Sequence, residues 1–165
     1  MARFASSWYT IYNSTKLIMD KILNQGNNDN CWTWAIMWIL QHYWVQFDFE
    51  SVSKIREPLI MKLQNRFIAL WLMKYFISLP NTRLVDLCLK RGEYLLTGTK
   101  LWNFDNPPNV TFDWKAEHYF IICENLGDRY KCINSWGEEY WDKWYFYIKK
   151  SDFSRMFTPK RICIK

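Results

Sequence analysis

The chain has few of the residues that small disulfide-bonded, metal-binding or membrane-spanning proteins need. Its 165 residues include five Cys, without regular spacing, and two His. An odd, irregular set of Cys does not form the even disulfide framework of small secreted proteins, and without a Cys-x-x-Cys pair there is no zinc motif. Charged or amide side chains interrupt every apolar run before the roughly 18 residues that span a bilayer. We therefore expect no structural disulfide, no metal or organic cofactor, and no transmembrane segment.

The first eight residues lack the continuous apolar region of a secretory signal. Together with the Cys pattern, this predicts a cytoplasmic protein in a reducing compartment. Four of the thiols are then expected to be mostly buried and reduced: Cys88, Cys123, Cys132 and Cys163. An alternative stays open for Cys123 and Cys132, which could face each other across a hairpin.

Apolar and aromatic residues are abundant. Half of the chain is apolar and 19% is aromatic, with 11 Trp, which excludes disorder and predicts one domain with an aromatic-rich core. The formal net charge of +6 allows attraction to acidic surfaces. Much of it lies in a C-terminal set that could contact an anionic surface or simply face solvent: Lys149, Lys150, Arg155, Lys160, Arg161 and Lys165. No recognisable nucleic-acid module accompanies these residues.

The apolar pattern changes from helical to strand-like along the chain. Helical spacing is found in four segments: 8–23, 31–47, 51–79 and 84–91, the last ending at Gly92. Strand patterns follow in 94–97, 99–102 and 144–149, and in a hairpin formed by 119–124 and 129–133. Helices first and antiparallel strands second indicate an α+β fold. We predict a single domain over 1–165, with a mainly helical lobe to about residue 80 and a mainly β lobe from about residue 81.

Two distant segments contain the residue types that perform acyl transfer. A polar, Asn-rich loop holds Gln25 and leads into Cys31, while His118 opens an apolar strand and Asn134 follows the next strand. A Cys can attack a carbonyl, a His can take and return the proton, one amide can orient the His, and another can stabilise the oxyanion. Each residue alone also has an ordinary interpretation, as a core thiol, a loop amide, a neutral strand His or a strand-end Asn. His42 lies within a helix with no nucleophile at a suitable spacing and is the weaker candidate for the base.

The spacing of these residues resembles that of the papain-like cysteine peptidases. In that family a Gln precedes the nucleophilic Cys by six residues, a Trp follows the Cys, and Asn-Ser-Trp-Gly comes sixteen residues after the His. Gln25, Cys31 and Trp32 keep the first pattern, and His118 with the segment 134–137 keeps the second. The resemblance implies a shortened papain-like two-lobe fold, with a central buried helix carrying the Cys and an antiparallel β lobe carrying the His and Asn.

The resemblance also implies catalytic roles. Cys31 is the nucleophile, His118 is the base and then the acid, Asn134 orients the imidazole, and Gln25 binds the oxyanion with the Cys31 backbone N–H. A helix that begins at Cys31 aims partial positive charge at the sulfur and favours the thiolate. An imidazolium form of His118 would lower the pKa of the thiol further.

Three further residues are assigned to the substrate cleft by the same resemblance. Trp136 covers the hydrogen bond between the His and the Asn, and Glu117 supplies negative charge directly before the His. Tyr119 stands where the family has a small residue on the wall of the S2 pocket, which receives the second substrate side chain before the cleaved bond. The Cys-x-Gly-Gly stretch that borders the family's cleft is absent from this chain.

The sequence therefore predicts a thiol hydrolase that cleaves peptide or isopeptide bonds in a protein or peptide substrate. The short form without a signal would suit a viral or bacterial effector protein. An alternative is a binding protein on a degenerate peptidase scaffold, which engages a host partner or an anionic surface. A transglutaminase-like acyl transferase is a third possibility, although that group normally orients its His with Asp.

Overall fold

A computed structural model describes residues 31–56, 60–99, 118–135 and 144–164. Four helices occur in these ranges: α1 (Cys31–His42), α2 (Phe49–Ser53), α3 (Ile60–Ala69) and α4 (Thr82–Lys90). Side chains cap two of them, since Asp48 accepts from the Ser51 N–H before α2 and Asn81 accepts from the Leu84 N–H before α4. None of the described helices is long and apolar enough to cross a membrane.

Helix α1 is the central buried helix that the sequence predicts. Its apolar residues point in nearly every direction, which is typical of a helix enclosed by other elements. The buried positions are Thr33, Trp34, Ala35, Ile36, Met37, Ile39 and Leu40. The helix ends at His42 instead of continuing to about Phe47, because Trp44 adopts a left-handed backbone conformation with φ of 58°.

Three helices end in the same Schellman geometry, in which two successive N–H groups bond back to the last carbonyls. The left-handed residue is Trp44 after α1, Trp71 after α3 and Gly92 after α4, with φ of 58°, 60° and 74°. After α3, Leu72 N–H bonds to Phe67 O at 3.0 Å and Trp71 N–H bonds to Ile68 O at 2.9 Å. Only Gly92 is the residue type that the sequence signals for such an end, and its predicted role as a cap is confirmed.

The described strands form a six-stranded antiparallel sheet in the order β1-β6-β2-β3-β4-β5. Their bounds are β1 Tyr75–Ser78, β2 Leu95–Thr99, β3 His118–Asn125, β4 Arg129–Ile133, β5 Tyr145–Lys149 and β6 Lys160–Cys163. The predicted hairpin is confirmed as β3 and β4, which turn through Gly127 at φ of 90°. A 3₁₀ helix at Lys150–Arg155 follows β5.

The sheet buries both of its faces. Successive residues on β3 belong to different cores, because their side chains point to opposite faces of the sheet. Ile121 packs with α1 and α3 in one cluster, whereas Phe120 and Ile122 pack with α4 residues such as Val85 in the other. The chain therefore combines helices with an antiparallel sheet, as predicted, and α1 lies directly against β3.

Two parts of the predicted architecture differ in the structure. The helical pattern predicted over 51–79 is wrong at its end, because Tyr75–Ser78 forms strand β1. This strand pairs with β6, which the sequence analysis did not predict. An apolar run such as Tyr-Phe-Ile-Ser has no periodicity of its own that separates a strand from the last turn of a helix. The first part of the chain thus contributes a strand to the same sheet as the later part.

Candidate active site

Cys31 occupies the first position of α1 and is partly buried. Its sulfur accepts a hydrogen bond from the backbone N–H of Tyr119 on β3, with Sγ 3.3 Å from the nitrogen. The two residues are 88 positions apart and meet because α1 packs on β3. Both the helix N-terminus and a donated N–H favour negative charge on sulfur.

His118 and Asn134 form a buried pair one residue away from that contact. The His118 Nε2 lies 2.9 Å from the Asn134 Oδ1, and the two side chains are only 4% and 2% exposed. The first residue of β3 carries the imidazole, and the residue directly after β4 carries the amide. The hairpin therefore brings the predicted base and the predicted orienting amide together.

The orientation of the Asn134 amide follows from its backbone neighbours. The Ser135 N–H donates to Oδ1 at 2.8 Å, and the Asn134 N–H donates to the Trp144 carbonyl at 2.9 Å. Because a backbone N–H can only donate, the atom between Ser135 and the imidazole must be the amide oxygen. His118 must then donate its Nε2–H to that oxygen. In the neutral ring the lone pair is consequently on Nδ1, which is the atom available to accept a proton.

Burial keeps the imidazole of His118 neutral. Loss of solvation lowers the pKa of His118 to about 4, although the hydrogen bond that His118 donates to Asn134 opposes this change. The imidazolium form that the sequence analysis expects in the resting protein is therefore disfavoured at neutral pH. A neutral imidazole is the form that can accept a proton from the Cys31 thiol.

The Tyr119 ring lies between aromatic residues from two different segments. It stacks on Trp32, with ring centroids 5.0 Å apart and an interplanar angle of 27°, and lies 5.5 Å from the Phe157 ring. The same ring borders a pocket of about 220 Å³ together with Leu96, Thr97, Phe157, Thr158 and Lys160. The residue that the sequence analysis assigns to the wall of the S2 pocket is thus a packed aromatic side chain.

Gly98 permits this packing. It pairs with Tyr119 across β2 and β3, and a Cβ at Gly98 would lie 2.5 Å from the His118 carbonyl oxygen and 3.0 Å from Phe157. Neither Gly98 nor Phe157 was singled out by the sequence analysis. The available signal was an isolated Gly inside a strand pattern, which marks a close approach of another chain segment.

Two Trp residues of α1 lie near Asn134. A small cavity is lined by Trp34, Trp38, Asn134, Ser135 and residues of β3. The indole N–H groups of Trp34 and Trp38 and the Asn134 Nδ2 are buried there, and none finds an acceptor within the described parts of the chain. This cover from α1 was not predicted from sequence, because a Trp on a buried helix is most simply a core residue.

Three predicted site residues, Gln25, Glu117 and Trp136, lie outside the described residues, so the oxyanion donor remains a prediction. All five Cys lie in the described ranges, and none of them forms a disulfide. Cys88 and Cys132 are buried, whereas Cys123 and Cys163 are partly exposed. Within the described ranges, no group of three or more His, Cys, Asp or Glu side chains could hold a metal ion.

Comparison with known proteins gives a distant structural likeness. No protein-family model and no curated protein matches the chain. The solved structure of xylellain, a cysteine protease from Xylella fastidiosa, is similar to this chain with a TM-score of 0.45 and 16% sequence identity. The match covers 56% of this chain and 41% of xylellain, so the chain spans less than half of that protein. This similarity is too low and too partial to assign a function.

Proposed function

We propose that the chain is a thiol hydrolase that cleaves peptide or isopeptide bonds through an acyl-enzyme on Cys31. The observation that carries this proposal is the buried His118–Asn134 pair beside the sulfur contact. It supports a base whose tautomer is fixed, with Nδ1 as the proton acceptor. The Tyr119 N–H bond supports a sulfur poised in the acceptor role.

In the first half of the reaction, Cys31 Sγ bonds to the substrate carbonyl carbon and His118 takes the thiol proton. The tetrahedral oxyanion is stabilised by the Cys31 backbone N–H and by Gln25, a role for which the sequence spacing is the support. The C–N bond then breaks, and His118 returns the proton to the departing amine. Asn134 holds the ring throughout.

In the second half, a water molecule attacks the thioester carbonyl. His118 takes a proton from that water and returns it to sulfur, and the carboxylic acid leaves. No metal or organic cofactor takes part in the proposed sequence. Because Cys31 must stay reduced, a reducing compartment such as the cytoplasm is part of the proposal.

The test is labelling with an epoxysuccinyl probe, followed by mass-spectrometric mapping of the modified residue and turnover assays on a peptide library. We expect one label on Cys31 and loss of labelling in His118→Ala, since the neutral imidazole assists thiol attack. Cys163→Ser is the matched control, because it removes a partly exposed thiol away from the pair and should leave labelling unchanged. Equal labelling of Cys31 and Cys163 would contradict the proposal.

A second candidate is supported by the aromatic packing around Tyr119. With Trp32 and Phe157 against its ring, the cleft could serve as a binding surface on a scaffold that no longer turns over substrate. The same experiment separates the two functions. A labelled Cys31 with no hydrolysis of any peptide or isopeptide substrate would favour the binding protein.

A further inference from the structure

Helix α3 presents an outward face that combines cationic and apolar side chains. Leu63 and Phe67 are buried in the core, and the opposite side of the helix is exposed. The exposed residues fall in two adjacent rows at helical spacing, one with Met61, Asn65 and Ala69 and the other with Lys62, Arg66 and Leu70.

This exposed surface continues beyond the end of α3. Trp71, Lys74 and Tyr75 follow the helix and are all exposed. A hydrogen bond from the Phe76 N–H to Gln64 Oε1 at 3.3 Å holds the start of β1 beside the helix. We call the combined surface the α3 face: Met61, Lys62, Arg66, Leu70, Trp71, Lys74 and Tyr75.

Two apolar side chains of this face are mostly exposed to solvent. Met61 is 63% exposed and Trp71 is 76% exposed. Trp71 also adopts the left-handed conformation that a Gly would adopt without steric cost. A bulky side chain at this position strains the backbone, and the Trp71 side chain buries little of its own surface. Residues held in this way are candidates for a function outside the core.

The segment of sequence that carries the α3 face has charge of one sign. Residues 58–85 contain Lys62, Arg66, Lys74 and Arg83 and no Asp or Glu. Among the basic residues near the C-terminus, three pair with carboxylates of this chain: Lys150 with Asp86, Arg155 with Asp152 and Arg161 with Glu93. The anionic partner expected from the C-terminal charges therefore fits the α3 face better.

We propose that the α3 face docks on an anionic phospholipid bilayer. Trp71 and Tyr75 are the aromatic types that lie at the level of lipid headgroups, and Met61 and Leu70 can enter the acyl boundary beside them. Lys62, Arg66 and Lys74 extend from the same surface toward lipid phosphates and carboxylates. The docked helix lies in the plane of the membrane without crossing it. This proposal is independent of the hydrolase chemistry.

The test is flotation of the full chain with two kinds of vesicle, pure phosphatidylcholine and phosphatidylcholine with about 30 mol% phosphatidylserine. We expect binding to the anionic vesicles at about 0.1 M salt, weaker binding at higher salt, and little binding to the neutral vesicles. Failure of the wild-type chain to float with the anionic vesicles would overturn the proposal, and a protein partner would then be the better occupant of the face.

The chain offers a matched pair of Trp variants. Trp71→Gly removes the ring and leaves the residue type that the helix end favours, so the fold should be retained. We expect vesicle affinity to fall on the order of tenfold or more, because apolar area no longer enters the interface. Trp44→Gly is the control, because Trp44 has the same cap geometry and is 70% exposed. Its surrounding segment, 31–53, contains Asp48 and Glu50 and no Lys or Arg.

We expect Trp44→Gly to bind within about twofold of wild type, since Trp44 is not part of the α3 face. An equal loss in both Trp variants would overturn the proposal, because it would indicate general adhesion of exposed Trp. The double variant Lys62→Gln with Lys74→Gln keeps the apolar residues and removes two charges. About a 25-fold loss is expected, with unchanged thermal unfolding, and unchanged vesicle binding would also overturn the proposal.

Discussion

Cys31 and Cys123 are partly buried thiols at the same strand, but their hydrogen bonds run in opposite directions. The Cys31 sulfur accepts from the Tyr119 N–H of β3, whereas Cys123, on β3 itself, donates its S–H to the Lys131 carbonyl, each at 3.3 Å. Burial raises the pKa of the Cys123 thiol to about 12. Although both thiols are partly buried, the Cys31 sulfur is an acceptor suited to a thiolate, whereas the Cys123 thiol is a neutral donor.

The largest expected effect separates these two thiols directly. Cys31→Ser should lower turnover by at least about 10³-fold, because the nucleophile of the acyl-enzyme is lost. Cys123→Ser should stay within about threefold of wild type, because its hydroxyl can still donate to the Lys131 carbonyl. Initial rates of peptide hydrolysis on both purified variants provide the measurement. Activity retained in Cys31→Ser would remove the distinction between the two thiols.

The next effect concerns the oxyanion that forms during attack by Cys31. No oxyanion site is proposed beside Cys123. Gln25→Ala should lower kcat by roughly 10- to 1000-fold through loss of one donor to the developing negative charge. Folding should be near normal, since Gln25 is expected in a polar loop. Asn27→Ala, in the same loop, is the matched control in steady-state assays and should have little effect. If Gln25→Ala turns over at the wild-type rate, Gln25 has no part in the mechanism.

The third effect tests whether the base beside Cys31 is neutral. Burial lowers the pKa of His118 to about 4 from 6.5, so the unfolded chain takes up the proton first as the pH falls. The stability that the neutral ring contributes is complete above about pH 6.5 and declines toward pH 4, with about 2 kcal/mol lost by pH 5.

Urea unfolding of wild type and His118→Gln at pH 7.5 and pH 5 measures this contribution. The difference between the two chains cancels the carboxylates that titrate in both, and His42→Gln controls for a second His. We expect the pH dependence to be about 2 kcal/mol smaller in His118→Gln than in wild type. Equal pH dependence in both chains would indicate that folding does not lower the pKa of His118.

The smallest effect concerns the ring of Tyr119, the residue whose backbone N–H bonds to Cys31. If Tyr119 blocks the S2 pocket, Tyr119→Ala should raise kcat/KM for substrates with Leu at the second position by about tenfold, the scale of an apolar side chain gaining a pocket. Tyr119→Phe keeps the ring and should give no gain. A panel with Gly, Ala, Leu and Phe at that position measures both. Efficient cleavage of the Phe substrate by wild type would show that the Tyr119 ring does not block the S2 pocket.

The sequence predicts the elements whose signals are local. Alternating residues with Gly127 between them specify the β3–β4 hairpin, and Gly92 marks the end of α4. The same hairpin explains why the pairing of His118 with Asn134 could be predicted, because two residues at fixed positions on paired strands have little freedom to separate. The position of Cys31 beside the start of β3 could be expected only through the family resemblance, since no local pattern encodes the contact of Cys31 with Tyr119, 88 positions away.

The features that sequence analysis missed depend on long-range packing. Trp71 ends α3 in a conformation for which Gly or Asn is the usual signal. The sequence therefore shows no stop, and its helical spacing continues into the residues of β1. Strand β6 has only four residues and no clear alternation. Gly98 gains its meaning only when β2 pairs with β3 and brings Tyr119 and Phe157 against it. The direction of the two thiol hydrogen bonds likewise depends on which backbone group the fold places beside each sulfur.

The position of β6 within the sheet has a consequence for how the chain is made. This strand joins β1 to β2, yet it is the last of the described strands to leave the ribosome. Until residue 163 has emerged, the backbone groups that β1 and β2 later share with β6 have no partner, and such edges promote association between nascent chains. Cotranslational folding should therefore stop at a partly formed sheet. Ribosome-bound chains of which residues up to 159 have cleared the exit tunnel should be markedly more protease-sensitive than chains whose β6 has also cleared it.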